Sequence, residues 1–323
     1  MNNINKFMEN FKESRISGVF IALLFIIIIA SFVSPYFLTT YNIQSVIRSL
    51  AFVSIVAIGQ ACLLILGELD LSVGAIAGLS GVLGGMMMVN ASINPYLAFI
   101  LCLLIGAGFG FINGILVSGL NLNSLVVTVG MTGIYSGVNL VISKGKAITG
   151  IPEEIYFLGQ GKLFGIPMPF IIMLVVLAVI VFITRYTPFG RYVYAIGNSK
   201  EAAKILGIRV NLVTIITFMI VGLLSALAGM VMVARLGSSQ PSIGETWVMN
   251  SIASSVIGGV ALTGGVGSPA GALLGAAVIG IINNIIVLFG VSPYWQTAVS
   301  GAIVVGAISI DSVSRMISRK KNH

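Results

Sequence analysis

Apolar residues in this chain run in stretches of about twenty, and polar residues gather in the links between them. The stretches fall near 17–34, 43–66, 71–90, 95–117, 123–142, 167–184, 212–235, 247–262, 269–290 and 293–312. About twenty residues of helix, rising about 1.5 Å each, cross a hydrocarbon core of about 30 Å. The pattern predicts an all-α polytopic membrane protein with about ten transmembrane helices. It forms a single transmembrane domain over 1–323, embedded in the lipid bilayer.

One link breaks the rhythm. Residues 184–211 carry Arg185, Arg191, Lys200, Lys204 and Arg209 between two apolar runs. A short helix is expected at 199–206. Asn198 is placed to cap its free N–H groups, Glu201 to complete a capping box, and Gly207 to end it. Lys200 and Lys204 mark its polar side, and Ala202, Ala203, Ile205 and Leu206 its apolar side. Two turns of helix are not stable alone, so this one needs a surface, either the membrane interface or a partner protein.

Composition excludes a soluble domain: 57% of residues are hydrophobic, 8% are charged, and the mean hydropathy is +1.09. The excess of 17 basic over 9 acidic residues does not call for nucleic acid, because basic residues in a membrane protein fix its orientation. Lys6, Lys12 and Arg15, the five of the 184–211 link, and Arg315, Arg319, Lys320 and Lys321 make twelve that share one face when the spans number ten. That face is expected to be cytoplasmic, with both termini on it and the 143–168 loop outside. Lys6, Lys12 and Arg15 ahead of the first apolar run resemble a signal peptide, but no small-x-small site closes it, so it is read as the first span. Cys62 and Cys102 lie in apolar runs without ligand spacing, and the single histidine is His323, so no metal, disulfide or histidine chemistry is expected.

An internal repeat is visible at an offset of 170. Gly67, Ser72 and Gly74 recur as Gly237, Ser242 and Gly244; Gly110, Ile112 and Asn113 recur as Gly280, Ile282 and Asn283. Halves of about 17–142 and 167–312, with an odd number of spans each, would form a 5+5 inverted repeat. Gly106, Gly110 and Gly114, Gly267, Gly271 and Gly275, and Gly74 with Gly78 are spaced by four, so helices are expected to approach closely there. Glu68 and Asp70 form a cluster that is either a hydrated turn or a functional group of the pathway. Asn113, Asn250 and Asn283 either line a polar pathway or bond helix to helix.

Glu201-Ala202-Ala203 followed by Gly207 resembles the loop by which membrane subunits of bacterial ATP-binding-cassette importers dock on their ATPases. Asp70-Leu71-Ser72-Val73-Gly74, Ala234-Arg235-Leu236, Gln240-Pro241, Ile257-Gly258-Gly259, Gly264-Gly265-x-Gly267 and Leu288-Phe289-Gly290-Val291-Ser292 are similar to segments of ribose-type sugar permeases. The resemblance covers nearly the whole chain. It implies a type II importer-like fold in the bacterial inner membrane. ATPase coupling would fall to Asn198, Glu201, Ala202, Ala203 and Gly207, and the substrate pathway to Asp70, Ser72, Asn113, Asn250 and Asn283. The implied partners are a second permease copy, cytoplasmic ATPase subunits and an external sugar-binding protein. No cofactor is implied.

Two features depart from that pattern. The downstream Ile-x-Leu-Pro element of other importer classes is absent, and the acidic pair the family usually carries after Gln-Pro is replaced by Val248 and Asn250. The chain itself is not expected to be an enzyme, since no Gly-x-x-x-x-Gly-Lys-Ser/Thr phosphate loop is present. The alternative reading is a proton- or ion-coupled carrier acting alone through Glu68 and Asp70.

Overall fold

In a computed structural model of the 323-residue chain, the described residues are 15–292, 295, 298, 299, 301, 302, 305 and 306. The expected span 293–312 falls largely outside them. So do Lys6, Lys12 and the basic residues of the C-terminal tail.

The architecture is helical throughout, with only four two-residue strands among the described residues. In order come α1 (Arg15–Val33), α2 (Thr40–Leu66), α3 (Val73–Val89), α4 (Pro95–Gly114, extended by a π turn at Ile115–Gly119), α5 (Ser124–Ser143), α6 (Tyr156–Gln160) and α7 (Met168–Tyr186). There follow α8 (Pro188–Asn198), α9 (Lys200–Ile205), α10 (Val210–Leu236), α11 (Trp247–Ile257) and α12 (Pro269–Leu288). Side-chain caps start most of the long helices: Thr39 accepts from the Asn42 N–H, Asn94 from Tyr96 and Leu97, Asn123 from Leu125 and Val126, and Ser268 from Ala270. Pro95 and Pro269 follow two of these caps at the first helical position, where no N–H is needed.

Among the described residues, six helices are long and apolar enough to cross a bilayer: α2, α4 with its π turn, α5, α7, α10 and α12. Ser17–Val33 and α3 are shorter apolar helices. The span expected at 247–262 is corrected. Helix α11 stops at Ile257, and its 11 residues cover only about 16 Å, half of a hydrocarbon core. Gly258 and Gly259 end it, and Gly259, Gly264 and Gly265 take left-handed φ angles in the turns that follow. The count of ten crossing helices is therefore not reached among the described residues.

Of the six spanning helices, the two longest, α2 and α10, are the most enclosed. Each has 27 residues, they lie 170 positions apart, and each ends on a left-handed glycine, Gly67 or Gly237. Helix α10 packs on α4 and α3, and α2 packs on α12 and α11. Each long helix thus rests on shorter helices from the other end of the chain. Between the halves, Gly74 and Gly244 meet backbone to backbone, so that a Cβ on either would overlap the other's carbonyl. The outer faces of α4, α5 and α7 carry exposed apolar side chains such as Leu104, Val126, Val141 and Phe182, suited to lipid.

The glycine spacings mark close contacts, as expected. Cβ atoms at Gly106 and Gly110 would overlap Gly222 and Phe218 of α10, and those at Gly271 and Gly275 would overlap Gly258 and Ser254. Gly267 differs: it precedes α12, in a turn at φ 142°. Gly108, on the same helix as Gly110, has open space beside it. Gly110→Val is therefore expected to lower stability by about 1–3 kcal/mol through overpacking. Gly108→Ala should leave it unchanged or slightly raised. Thermal unfolding of the detergent-solubilised protein checks this, and equal shifts for the two variants would contradict the packing account.

Candidate functional site

Between α2 and α3 the chain breaks for six residues, Gly67 to Ser72; Gly67 is exposed, Leu69 and Leu71 are half-buried, and Glu68, Asp70 and Ser72 are buried. Its backbone groups find partners on α5. The Leu69 N–H donates to Ser124 Oγ (3.3 Å), the Leu71 N–H to Thr128 Oγ1 (3.0 Å), and the Thr132 hydroxyl to the Leu71 carbonyl (3.0 Å). Asp70 is 0% exposed. Its Oδ1 accepts from the Ser72 N–H (2.7 Å) and Ser72 hydroxyl (2.6 Å), and its Oδ2 from Asn113 Nδ2 (3.1 Å). Asn113 Nδ2 also reaches Ser72 Oγ (2.8 Å), and Tyr135 Oη lies 3.1 Å from Asn113 Oδ1. The Gln60 amide, turned so that its nitrogen faces the Asp70 carbonyl, bonds both backbone groups of Asp70 at 3.3 Å. Burial pushes the Asp70 carboxyl above its ordinary pKa, while the bonds from Ser72 and Asn113 pull it back.

Asp70, Ser72 and Asn113, singled out from the sequence, thus come together in one hydrogen-bonded lock. Gln60 and Tyr135 complete the lock. The signal for Gln60 was available, since it is a lone amide in an apolar run.

Glu68, 8% exposed, points the other way and forms an ion pair with Lys200 of α9. Lys200 and Lys204 also border a small hollow with Glu68 and Asn211. The 184–211 link therefore packs directly on the elbow. A Cβ at Gly197 would overlap the Ile65 carbonyl, which also accepts from the Gly265 N–H (2.8 Å).

Two expectations about this link are corrected. The cap of α9 is Ser199, whose hydroxyl accepts from the Ala202 N–H (3.2 Å). Asn198 instead ends α8, and its amide donates to the Tyr194 carbonyl (2.9 Å). With the start shifted by one residue, Glu201 no longer stands at the capping-box position. Ala203 does not share an outward face with Ala202, Ile205 and Leu206. It is 1% exposed, packed in the chain's own core, whereas Ile205 is 85% and Leu206 76% exposed. Gly207 does take a left-handed turn, at φ 78°.

Asn250 and Asn283 lie apart from the lock, in a half-open cleft of about 320 Å³ between α2, α10, α11 and α12. Ser45 and Ser49 of α2, Asn284 of α12 and Arg235 of α10 share its wall. Trp247 and Phe52 stack there with ring centres 6.2 Å apart. Asn284 exchanges two bonds with Asn42 (2.7 and 3.0 Å), so its amide is satisfied. The Oδ1 atoms of Asn250 and Asn283 are buried and have no hydrogen-bond partner. An unmet buried acceptor costs about 1–3 kcal/mol, so these two oxygens are the unsatisfied polar groups beside the cleft. Among the described residues no group of histidine, cysteine or carboxylate side chains is arranged to hold a metal ion.

A family described as the branched-chain amino acid transport system / permease component matches residues 42–308. A ribose import permease protein of Bacillus subtilis (strain 168) is 38% identical over 296 residues, covering 91% of this chain and 92% of the relative. The ribose import permease protein of Escherichia coli (strain K12) is 34% identical, covering 90% and 92%. A D-allose transport system permease protein of the same strain is 34% identical over 304 residues, covering 94% and 92%. No solved structure matches the chain. A match over most of its length, to permeases alone among these relatives, places the chain in the permease-component family as a membrane-spanning subunit of an importer.

Proposed function

We propose that this permease carries ribose or a similar monosaccharide through the membrane, powered by separate ATP-binding-cassette ATPase subunits, supplied by an external binding protein, and paired with a second copy of itself. The cleft carries the substrate part of this reading. An aromatic pair, two hydroxyl groups and two amide oxygens lacking donors form the combination a small polyol needs. Correspondence of α2 and α10 at the 170-residue offset supports two inverted halves, with the broken segments after each long helix as their moving parts. The proposed orientation, with the 184–211 link in the cytoplasm, rests on the distribution of Lys and Arg.

The carrier alternative needs a carboxylate free to take up and release a proton. Glu68 is tied to Lys200, and every Asp70 oxygen is hydrogen-bonded, which speaks against it.

In membrane vesicles with the ATPase and binding protein present, uptake is expected to require ATP on the side bearing the 184–211 link. Ile205→Asp with Leu206→Asp should abolish both uptake and co-purification of the ATPase, since these are the apolar side chains the link turns outward. Uptake driven by a proton gradient without ATP would refute the importer reading.

The Glu68–Lys200 pair joins the proposed ATPase-docking helix to the elbow and so to α3. Glu68→Lys and Lys200→Glu singly should raise ATP hydrolysed per sugar moved, and the double variant should restore the ratio. Failure of the double variant to improve on either single one would remove the pair from the coupling path. Asp70→Asn places an amide donor among donors, and about 1–3 kcal/mol of stability should be lost with transport. Normal melting with lost uptake would instead make Asp70 a group of the pathway itself.

A further inference from the structure

Between α10 and α11, residues 237–246 contain no helix, yet this segment runs deep among the helices. A Cβ at Gly85 of α3 would meet Ser239, one at Gly78 the carbonyls of Pro241 and Ile243, and one at Gly74 the Gly244 carbonyl. The segment thus follows α3 for about three turns. At its foot Trp247 stacks on Phe52, near the middle of the 27-residue spanning helix α2. Irregular backbone at membrane depth is tolerated only where protein buries it or where it lines a water-filled cavity. Here Ile243 and Gly244 are buried, whereas Ser242, Glu245 and Thr246 are exposed. The one ion pair among the described residues is Glu68–Lys200, so Glu245 carries its carboxylate at this depth without a paired cation. A charge kept there marks a function.

Beside this segment lies a second hollow of about 380 Å³, between α3, α5 and residues 241–248, and it shares no lining residue with the cleft. Ser242 and Glu245 border it from the segment. Thr132, Ser136 and Asn139, spaced by four and three, border it from one face of α5. Asn139 is 3% exposed. Its Nδ2 donates to the Pro241 carbonyl (3.0 Å), which fixes the amide, and its Oδ1 is buried without a hydrogen-bond partner. The Thr132 hydroxyl gives its proton to the Leu71 and Thr128 carbonyls, so only its lone pairs remain to offer. No lysine, arginine or histidine is among the described residues that line the hollow. The wall is rich in acceptors and short of donors.

We propose that this hollow is a second sugar-binding subsite, in which the Glu245 carboxylate and Asn139 Oδ1 accept hydroxyl protons from a neutral polyol while Ser136 and Ser242 exchange hydrogen bonds with it. A carboxylate has two oxygens and can take two neighbouring hydroxyls at once. A divalent metal ion is a poorer match, since the described residues hold no cluster of carboxylate, cysteine or histidine side chains for one. The volume falls within the range of small-molecule sites, roughly 300–1,000 Å³. The inference rests on the permease reading and adds to it a second place where the solute pauses, reached through Glu245, which also borders the hollow on the Arg235 side of the segment.

Cysteine protection reads the hollow directly. Ala75→Cys and Val248→Cys each place a thiol on its wall at a position that supplies no polar group, and native Cys62 and Cys102 are buried. Each full-length variant, in lipid vesicles, is labelled with a charged methanethiosulfonate in the presence of D-ribose, of glycine betaine, which has no hydroxyl, or of sodium or potassium chloride at equal osmolality. Ribose is expected to slow labelling, and betaine and the salts to leave it unchanged. Added Glu245→Gln should raise the half-protecting ribose concentration about tenfold or more, as loss of a hydrogen bond to a charged group does, and Glu245→Asp should keep part of the protection. Glu245 is exposed, so neither change disturbs packing. Equal protection by a salt would make the hollow a cation site and overturn the inference. Protection that Glu245→Gln leaves unaltered would overturn it too, as would thiols at both positions that ribose does not protect or that the reagent does not reach. In each of those cases ATP-dependent ribose uptake by the native permease, with its ATPase and binding protein, would leave the permease reading standing, and absence of that uptake would remove both.

Discussion

A backbone inside a membrane protein must satisfy its own N–H and C=O groups wherever helix is interrupted, and this chain interrupts α2 and α3 at a place where Glu68, Asp70 and Ser72 are buried. The carboxylate of Asp70 makes that interruption tolerable. It takes both donors of Ser72 and one from Asn113, while Gln60 closes the backbone of Asp70 itself and α5 hydroxyls close Leu69 and Leu71. A helix continued through these residues would need none of this. The break fixes the angle at which α3 meets the loop around Gly244, and it leaves Glu68 free to face the 184–211 link. Elbow, 184–211 link and inner helices are thereby joined through Glu68 and Asp70, which stand two residues apart in sequence.

Close approach is the second condition. Lipid tails are as apolar as leucine, so burying apolar area gives little preference for helix over lipid, and packing and hydrogen bonding carry the association. The glycines at 106, 110 and 222 let α4 and α10 touch along their backbones, and those at 258, 271 and 275 do the same for α11 and α12. The polar cleft borders the first half of α2 and the polar lock its C-terminal end, with apolar side chains such as Ile55 and Ile58 enclosed between them.

Most of the helices could be read from hydropathy alone, because twenty apolar residues have few other uses. The glycine spacings likewise carried the close contacts, since spacing by four returns to one helix face. What failed depended on contacts between distant residues. Asn198 and Ser199 are both good caps one step apart, and packing of Gly197 on the Ile65 carbonyl carries α8 one residue further than composition would. The run 247–262 is apolar enough to span, yet glycines at 258 and 259 turn it after three turns of helix. Asp70, Ser72 and Asn113 could be grouped as buried polar residues of one kind. Their separation from Asn250 and Asn283, the company of Tyr135 for the first group and that of Arg235 for the second follow only from how the helices are arranged.

The crossed packing of α2 and α10 bears on the order of assembly during synthesis. Helix α2 emerges from the ribosome long before α11 and α12, the helices it rests on, and until then its enclosed face has only lipid or the insertion machinery beside it. Ser45 and Asn42 must wait in the same way for Asn284 and its neighbours. A chain halted midway would leave Asn42 without its Asn284 partner and the glycine faces uncovered. The packing of α2 is therefore complete only once α11 and α12 have been made.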